Sequence, residues 1–193
     1  MLKPGKKIGE GHFRECFEVE GDPGLCIKKL RPDLGVLQKL HLFLLNRDVN
    51  KEEFLTYSSL PVELRPYFSP VVDLKEDHLV AGRPVDFDGN PSRSLSEYGK
   101  VRNEYFWKDI DIIVSLFRKY DIWFFDAFRL GENVFVQKLT DKEWKPVIVD
   151  YKRLGWKSYP VQLNLLFNSE RKKKFFRRLN RFEESFRAGS PRI

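Results

Sequence analysis

Two glycines two residues apart, a lysine on a later strand and three downstream side chains with hard oxygen donors make phosphate chemistry the first candidate for this chain. The stretch from Ile8 to Lys28 reads IGEGHFRECFEVEGDPGLCIK. Gly9 and Gly11 follow a short apolar approach, so the turn is free to take positive φ and bring backbone N–H groups up to phosphate oxygens with no Cβ in the way. Phe13 is placed to cap the loop tip, and His12 beside it reads either as a phosphate contact or as an exposed loop side chain. Lys28 sits where an ammonium group points inward beside the loop. Downstream, Asp126 suits orientation or deprotonation of an acceptor hydroxyl, and Asn133 with Asp150 suits ligation of Mg²⁺. Moving a phosphoryl group from ATP needs little beyond these parts: positioning, neutralised charge and a carboxylate beside the acceptor.

The elements that must hold these residues follow from periodicity. Glu15, Phe17 and Val19 alternate with Arg14, Cys16 and Glu18, which predicts a strand returning from the glycine turn; a second turn at Gly21 to Gly24 leads to a third strand, LCIKKL. RPDLGVLQKLHLFLLNRDVN is a connection of mixed helical character. From Asn50 onward, Phe54, Tyr57 and Leu60 recur at helical spacing and predict a helix packed on the sheet. VVDLKEDHLVAGRPV reads as a hairpin around Lys75, Glu76 and Asp77, completing a five-stranded sheet. The turn chemistry of DFDGNPS places a division of the chain near Arg83 to Asn90, giving halves of residues 1–85 and 86–193.

In the second half, Ser94 is set to cap a short helix from Leu95 to Tyr98. Phe106, Ile110, Ile113 and Phe117 define one buried stripe on a helix ending near Asp121. IWFFD is expected as a short apolar strand delivering Asp126, and NVFVQKL with KPVIVDYK as a hairpin whose last strand ends in Asp150. NSERKKKFFRRLNRFEESFR predicts a basic amphipathic helix capped by Ser169. Its apolar stripe is Phe175, Leu179, Phe182 and Phe186, and Arg171, Lys172, Lys174, Arg178 and Arg181 give it a cationic surface.

Composition narrows the classes. With 193 residues, the chain suffices for one domain or for two small lobes. Its 17 Phe, 7 Tyr and 4 Trp predict an aromatic interior, and 33% charged residues without a low-complexity tract exclude disorder as the leading description. The net charge of +7 leaves two readings of the last helix: a solvated face, or a contact with an acidic partner, polyanion or acidic lipid. No nucleic-acid-binding motif accompanies the charge, so specific nucleic-acid recognition is not expected. The apolar runs are too short for a transmembrane segment, and a cytoplasmic location is the expectation. There Cys16 and Cys26 would stay reduced and serve as small hydrophobes. His12, His41 and His78 show no zinc-ligand spacing.

GEGHFRECF followed by LCIKKL, then EFLTYSSL, VDFDGNPSRSLSEY and the region from DIWFFD to VIVDYKRLG present these parts in the order in which a kinase assembles them. Over most of residues 8–156 the chain resembles the bacterial PhoP regulatory network protein YrbL family, a compact protein-kinase-like family. The resemblance implies an α+β, two-lobed kinase-like fold with a five-stranded antiparallel N-lobe sheet plus one helix and a reduced, mostly helical C-lobe. It further implies ATP and Mg²⁺ as cofactors. Catalytic roles fall to Asp126, Lys28 and Glu53, the last matching the helix glutamate that pairs with the strand lysine. Nucleotide contacts fall to Gly9, Gly11, Phe13 and Lys28, metal ligation to Asn133 and Asp150, and adenine recognition to the backbone near Arg83 to Asn90.

The chain departs from the kinase pattern at four places. Arg14 replaces the third loop glycine, and Phe124 and Phe125 replace the histidine and arginine before the catalytic aspartate. Asp150, Tyr151 and Lys152 stand for the metal-binding triplet, and Asn133 follows Asp126 by seven residues where five is usual, so a bulge is needed. No peptide-docking APE segment follows. Three functions therefore stand side by side: an ATP-binding, Mg-dependent phosphotransferase acting on an unidentified acceptor, a pseudokinase serving as a regulatory scaffold for a partner protein, and a basic interaction protein.

Overall fold

β-branched and aromatic residues in short alternating runs, punctuated by Gly21 at φ 80°, build an antiparallel sheet from both ends of the first half of the chain. The computed structural model describes residues 2–124, 126–151, 157 and 160–187. The chain divides into two units, Met1–Leu60 with Ser69–Arg83, and Pro61–Phe68 with Pro84–Ile193.

In the first unit β1 (Pro4–Glu10), β2 (Arg14–Val19), β3 (Asp22–Leu30), β4 (Val71–Leu74) and β5 (His78–Gly82) form a five-stranded antiparallel sheet in the order β1-β2-β3-β5-β4. β3 lies at its centre, and Cys26, Ile27 and Lys28 are buried there beside Leu79, Val80 and Ala81 of β5. Pairing is regular between β3 and β5, whereas the register slips twice in β1 and once in β4. Helix α1 (Val36–Leu44) starts at Gly35, whose N–H is taken by Gln38 Oε1 at 2.9 Å. It buries only His41 and leaves Val36, Leu37, Phe43 and Leu44 exposed.

Helix α2 (Val49–Ser58) is capped by Asp48, which accepts from the N–H groups of Asn50 and Lys51 at 2.9 and 3.0 Å. Its buried face corrects the sequence expectation. Phe54 and Tyr57 are only half-buried, and Val49, Asn50, Glu53 and Thr56 point inward instead. The helix is turned by its polar residues, because Glu53 finds cationic partners inside the unit.

In the second unit β6 (Arg93–Ser94), β7 (Val134–Lys138) and β8 (Trp144–Ile148) form a three-stranded antiparallel sheet, with helices α3 (Leu95–Tyr98), α4 (Glu104–Lys119) and α5 (Asn168–Phe186). Ser94 caps α3 as expected, accepting from the Glu97 N–H while the Glu97 carboxylate accepts from the Ser94 N–H. The α4 stripe is also as expected: Phe106, Ile110, Ile113 and Phe117 are all fully buried. Phe117 is the centre of an aromatic cluster with Phe68, Phe124, Phe128 and Phe175.

Two expectations are corrected here. No strand forms over Ile122–Phe124, and Phe125 lies outside the described residues. The apolarity of this run serves packing: Asp121 takes φ 52° after α4, and the Phe124 ring then meets Phe117 and Tyr151 edge-on or tilted. Likewise Ser169 does not cap α5. Phe167 is the N-cap, Ser169 lies inside the first turn, and Asn168 donates instead to Asp121 Oδ2 at 2.9 Å. Among the described residues no helix is long and apolar enough to cross a membrane.

Candidate functional site

The first unit gathers its polar residues beneath the glycine turn. Lys28 leaves β3 opposite Cys16, and its Nζ donates to Glu53 Oε1 at 2.6 Å. Arg14, the first residue of β2, donates Nη2 to Glu53 Oε2 and Nη1 to Asn50 Oδ1 at 3.2 Å. All four groups are buried, Glu53 completely and Lys28 to 9% exposure. A carboxylate so far from water holds its charge only with good partners. Here each oxygen has its own cation. One turn before Glu53, Asp48 sets the start of α2, and Arg47 is fixed by Glu52 at 2.9 and 2.7 Å and by His41 Nε2 at 2.9 Å.

The glycine turn itself is tied down from outside. The Gly11 N–H donates to the Arg14 carbonyl at 2.7 Å, Gln38 Nε2 donates to the His12 carbonyl at 2.6 Å, and the Arg31 N–H to the Phe13 carbonyl at 3.0 Å. Phe13, expected at the loop tip, is turned inward to 9% exposure, its ring stacked on His41 at 5.7 Å and under the Arg47 guanidinium. It anchors the loop on α1. A further correction concerns Gly9 and Gly11, neither of which has positive φ. A Cβ at Gly9 would meet only Cys16 Cβ at 3.9 Å, and one at Gly11 only the Arg14 carbonyl at 3.8 Å. The unit itself therefore tolerates alanine at both, and only a ligand approaching the backbone would demand glycine.

Both cysteines are free thiols on the Lys28 face of the sheet. The Cys16 side chain beside it brings Cys26 down to about 7 against the opposing effect of burial, with Lys28 helping. Cys16, set against Cys26 and itself largely buried, is pushed up. Thiolate absorbance near 240 nm should therefore rise as pH is raised through about 7. The Cys26→Ser variant should lose that transition, and Cys16→Ala should move it upward; a wild-type midpoint at an ordinary thiol value would contradict this geometry.

In the second unit Asp126, Asn133 and Asp150 belong to one loop cluster. Asn133 Nδ2 donates to the Asp126 carbonyl at 3.0 Å, and the Val149 N–H donates to the Asn133 carbonyl at 2.9 Å, which sets Asp150 one residue further on. The long spacing between Asp126 and Asn133 is taken up by consecutive turns, with Leu130 at φ 51° and Gly131 at φ 70°. Asp150 lies two residues past the end of β8 rather than on the strand, exposed and at φ 50°, a conformation aspartate adopts more readily than most residues. Asn133 and Asp150 offer an amide oxygen and a carboxylate. Both are hard oxygen donors of the kind that would hold Mg²⁺. Among the described residues no group of three or more His, Cys, Asp or Glu converges on a metal position.

The Asp126 carboxylate is engaged by Arg178 Nη1 of α5, a partner sequence reasoning missed because Arg178 reads there as one cation of an exposed face. Arg14 was noted only as the replacement of the third loop glycine, and its pairing with Glu53 was missed. Its signal was present, since a charged residue where glycine is usual must put that charge somewhere. Phe125 and, in the stretch after Tyr151 where no peptide-docking motif was expected, residues 152–156 and 158–159 lie outside the described residues. No protein-family model matches the chain, and no curated protein matches it.

Proposed function

We propose that the chain is a kinase-like nucleotide-binding protein, related to the YrbL family, that uses ATP to phosphorylate a hydroxyl on an acceptor. On this reading the first unit is the N-lobe of a two-lobed kinase-like fold and the second a reduced C-lobe. One observation carries it: the buried Lys28–Glu53 pair at 2.6 Å, a strand lysine held rigidly by a helix glutamate beside a pinned glycine turn. Lys28 would meet the nucleotide phosphates, with Glu53 fixing its direction. Asn133 and Asp150 would hold Mg²⁺, which when bound neutralises phosphate charge. Asp126 would orient the acceptor hydroxyl and accept its proton.

A second reading is a nucleotide-binding scaffold without turnover. Arg178 on the Asp126 carboxylate favours it, because that carboxylate must be released before it can serve an acceptor. Unfolding temperature measured with ATP, with and without Mg²⁺, tests both. At a hundredfold excess over Kd, ATP should stabilise the wild type by about 2.7 kcal/mol. Lys28→Met should abolish that gain while remaining folded, since Arg14 still partners Glu53. Equal ATP stabilisation of the variant would reject Lys28 as a ligand. ATP binding that ignores EDTA, without label transfer from γ-labelled ATP, would promote the scaffold reading.

A further inference from the structure

Helix α5 lines up cationic side chains beside Asp126. Arg171, Lys174 and Arg178 follow one another at helical spacing beside the buried Phe175 and Leu179, so all three stems run along one half-buried face. Arg129, from the turn that follows Asp126, adds to them, as does Arg177. The neighbouring carboxylates are already engaged: Asp126 by Arg178, Asp121 by Lys172 at 3.1 Å and Glu170 by Lys173 at 2.8 Å.

Two side chains register this crowding. Burial, with repulsion from Arg178, Arg177 and Arg129, brings Lys174 down to about 8 in spite of Asp126. The Arg171 Nε is buried and has no acceptor among the described residues, an arrangement a bound oxygen would relieve. Lys174 holds Gln162 Oε1 at 2.8 Å, which keeps its ammonium on this face instead of in bulk water. Arginine forks and an ammonium side by side along one helix face are the donors a phosphate group calls for.

We propose that this face of α5, centred on Lys174 with Arg171, Arg178 and Arg129, is a binding site for the phosphate group of a small phosphorylated molecule. Its use as the acceptor's anchoring site rests on the phosphotransferase reading above, with Asp126 addressing a hydroxyl of the same molecule; the anion site itself does not. Phosphate arriving near Arg178 also gives that guanidinium a competing partner, which frees the Asp126 carboxylate. Acceptor binding and release of Asp126 are thereby coupled.

Calorimetric titration of inorganic phosphate into the full chain tests the site. The wild type should bind saturably, Lys174→Ala and the Arg171→Ala/Lys174→Ala pair should lose at least tenfold in affinity, and Lys174→Arg should restore most of it. Lys173→Ala, at an exposed position of the same helix, should bind phosphate like the wild type, and the titration is read without ATP, so failure of the nucleotide reading and failure of this one are told apart. No saturable heat in the wild type, unchanged affinity in Lys174→Ala, or equally weakened phosphate binding in Lys173→Ala would overturn the proposal. A lipid headgroup is the other source of such a phosphate. Retention on phosphatidic acid vesicles that inorganic phosphate fails to compete away would overturn the small-molecule site in favour of a membrane surface.

Discussion

Replacing Glu53 by alanine is expected to cost about 3–5 kcal/mol of folding stability, among the largest effects of any single substitution in this chain. The reason is arithmetic of charge. Arg14 and Lys28, at 7% and 9% exposure, both depend on that one carboxylate, and its removal leaves two cations buried without it. Removing either cation alone should cost less, because Glu53 keeps the other. Replacing all three by apolar residues of similar volume should recover most of the loss, since a buried ionic cluster is seldom worth more than a well-packed apolar one. Urea denaturation followed by far-ultraviolet circular dichroism measures the series. A loss below about 1 kcal/mol for Glu53→Ala would mean that water reaches the cluster. Recovery of stability in the triple variant without recovery of ATP binding would show that the charges are retained for chemistry.

Phe117→Ala should cost a similar amount, about 3–5 kcal/mol, by a different mechanism. The Phe117 ring is fully buried and lies between 5.6 and 6.4 Å from the rings of Phe68, Phe124, Phe128 and Phe175. The four rings that remain, drawn from three segments, cannot all close on the space it leaves. Tyr105 on the same helix is 57% exposed, so Tyr105→Ala should stay within about 0.5 kcal/mol of the wild type. All four tryptophans fall in the 84–193 segment, which makes their fluorescence the natural probe of this unit. Equal midpoints for the two variants would deny the cluster its structural role.

Regular periodicity made much of this architecture legible beforehand. The α4 stripe, the Ser94 cap, the hairpin around Lys75 to Asp77 and the hairpin of β7 and β8 each satisfy a short-range rule that tertiary contacts had no cause to override. Legibility fails where a tertiary partner decides. Phe54 and Tyr57 form the better apolar stripe of α2, yet Glu53 is the residue buried, because Arg14 and Lys28 wait for it across the unit. The run from Ile122 to Phe124 is apolar enough for a strand, and periodicity cannot separate a strand from a loop packed among rings. At the candidate site, the spacing of Asp126 and Asn133 is readable and its consequence is not: whether the extra residues part the two depends on one amide reaching one carbonyl.

The register slips of β1 and β4 fall on the two strands that end the five-stranded sheet. An open sheet edge is a row of unpaired N–H and C=O groups, able in principle to recruit any extended chain that drifts past. A slip breaks the repeat of that row, tightens the local twist and leaves an incoming strand with no continuous ladder to follow. β1 adds Pro4, which has no N–H to offer, and the exposed Lys6 and Lys7, whose burial against a neighbour would be costly. The sheet therefore carries its own terminators, and the order of strands that seats Lys28 at its centre is protected from growing outward into an aggregate.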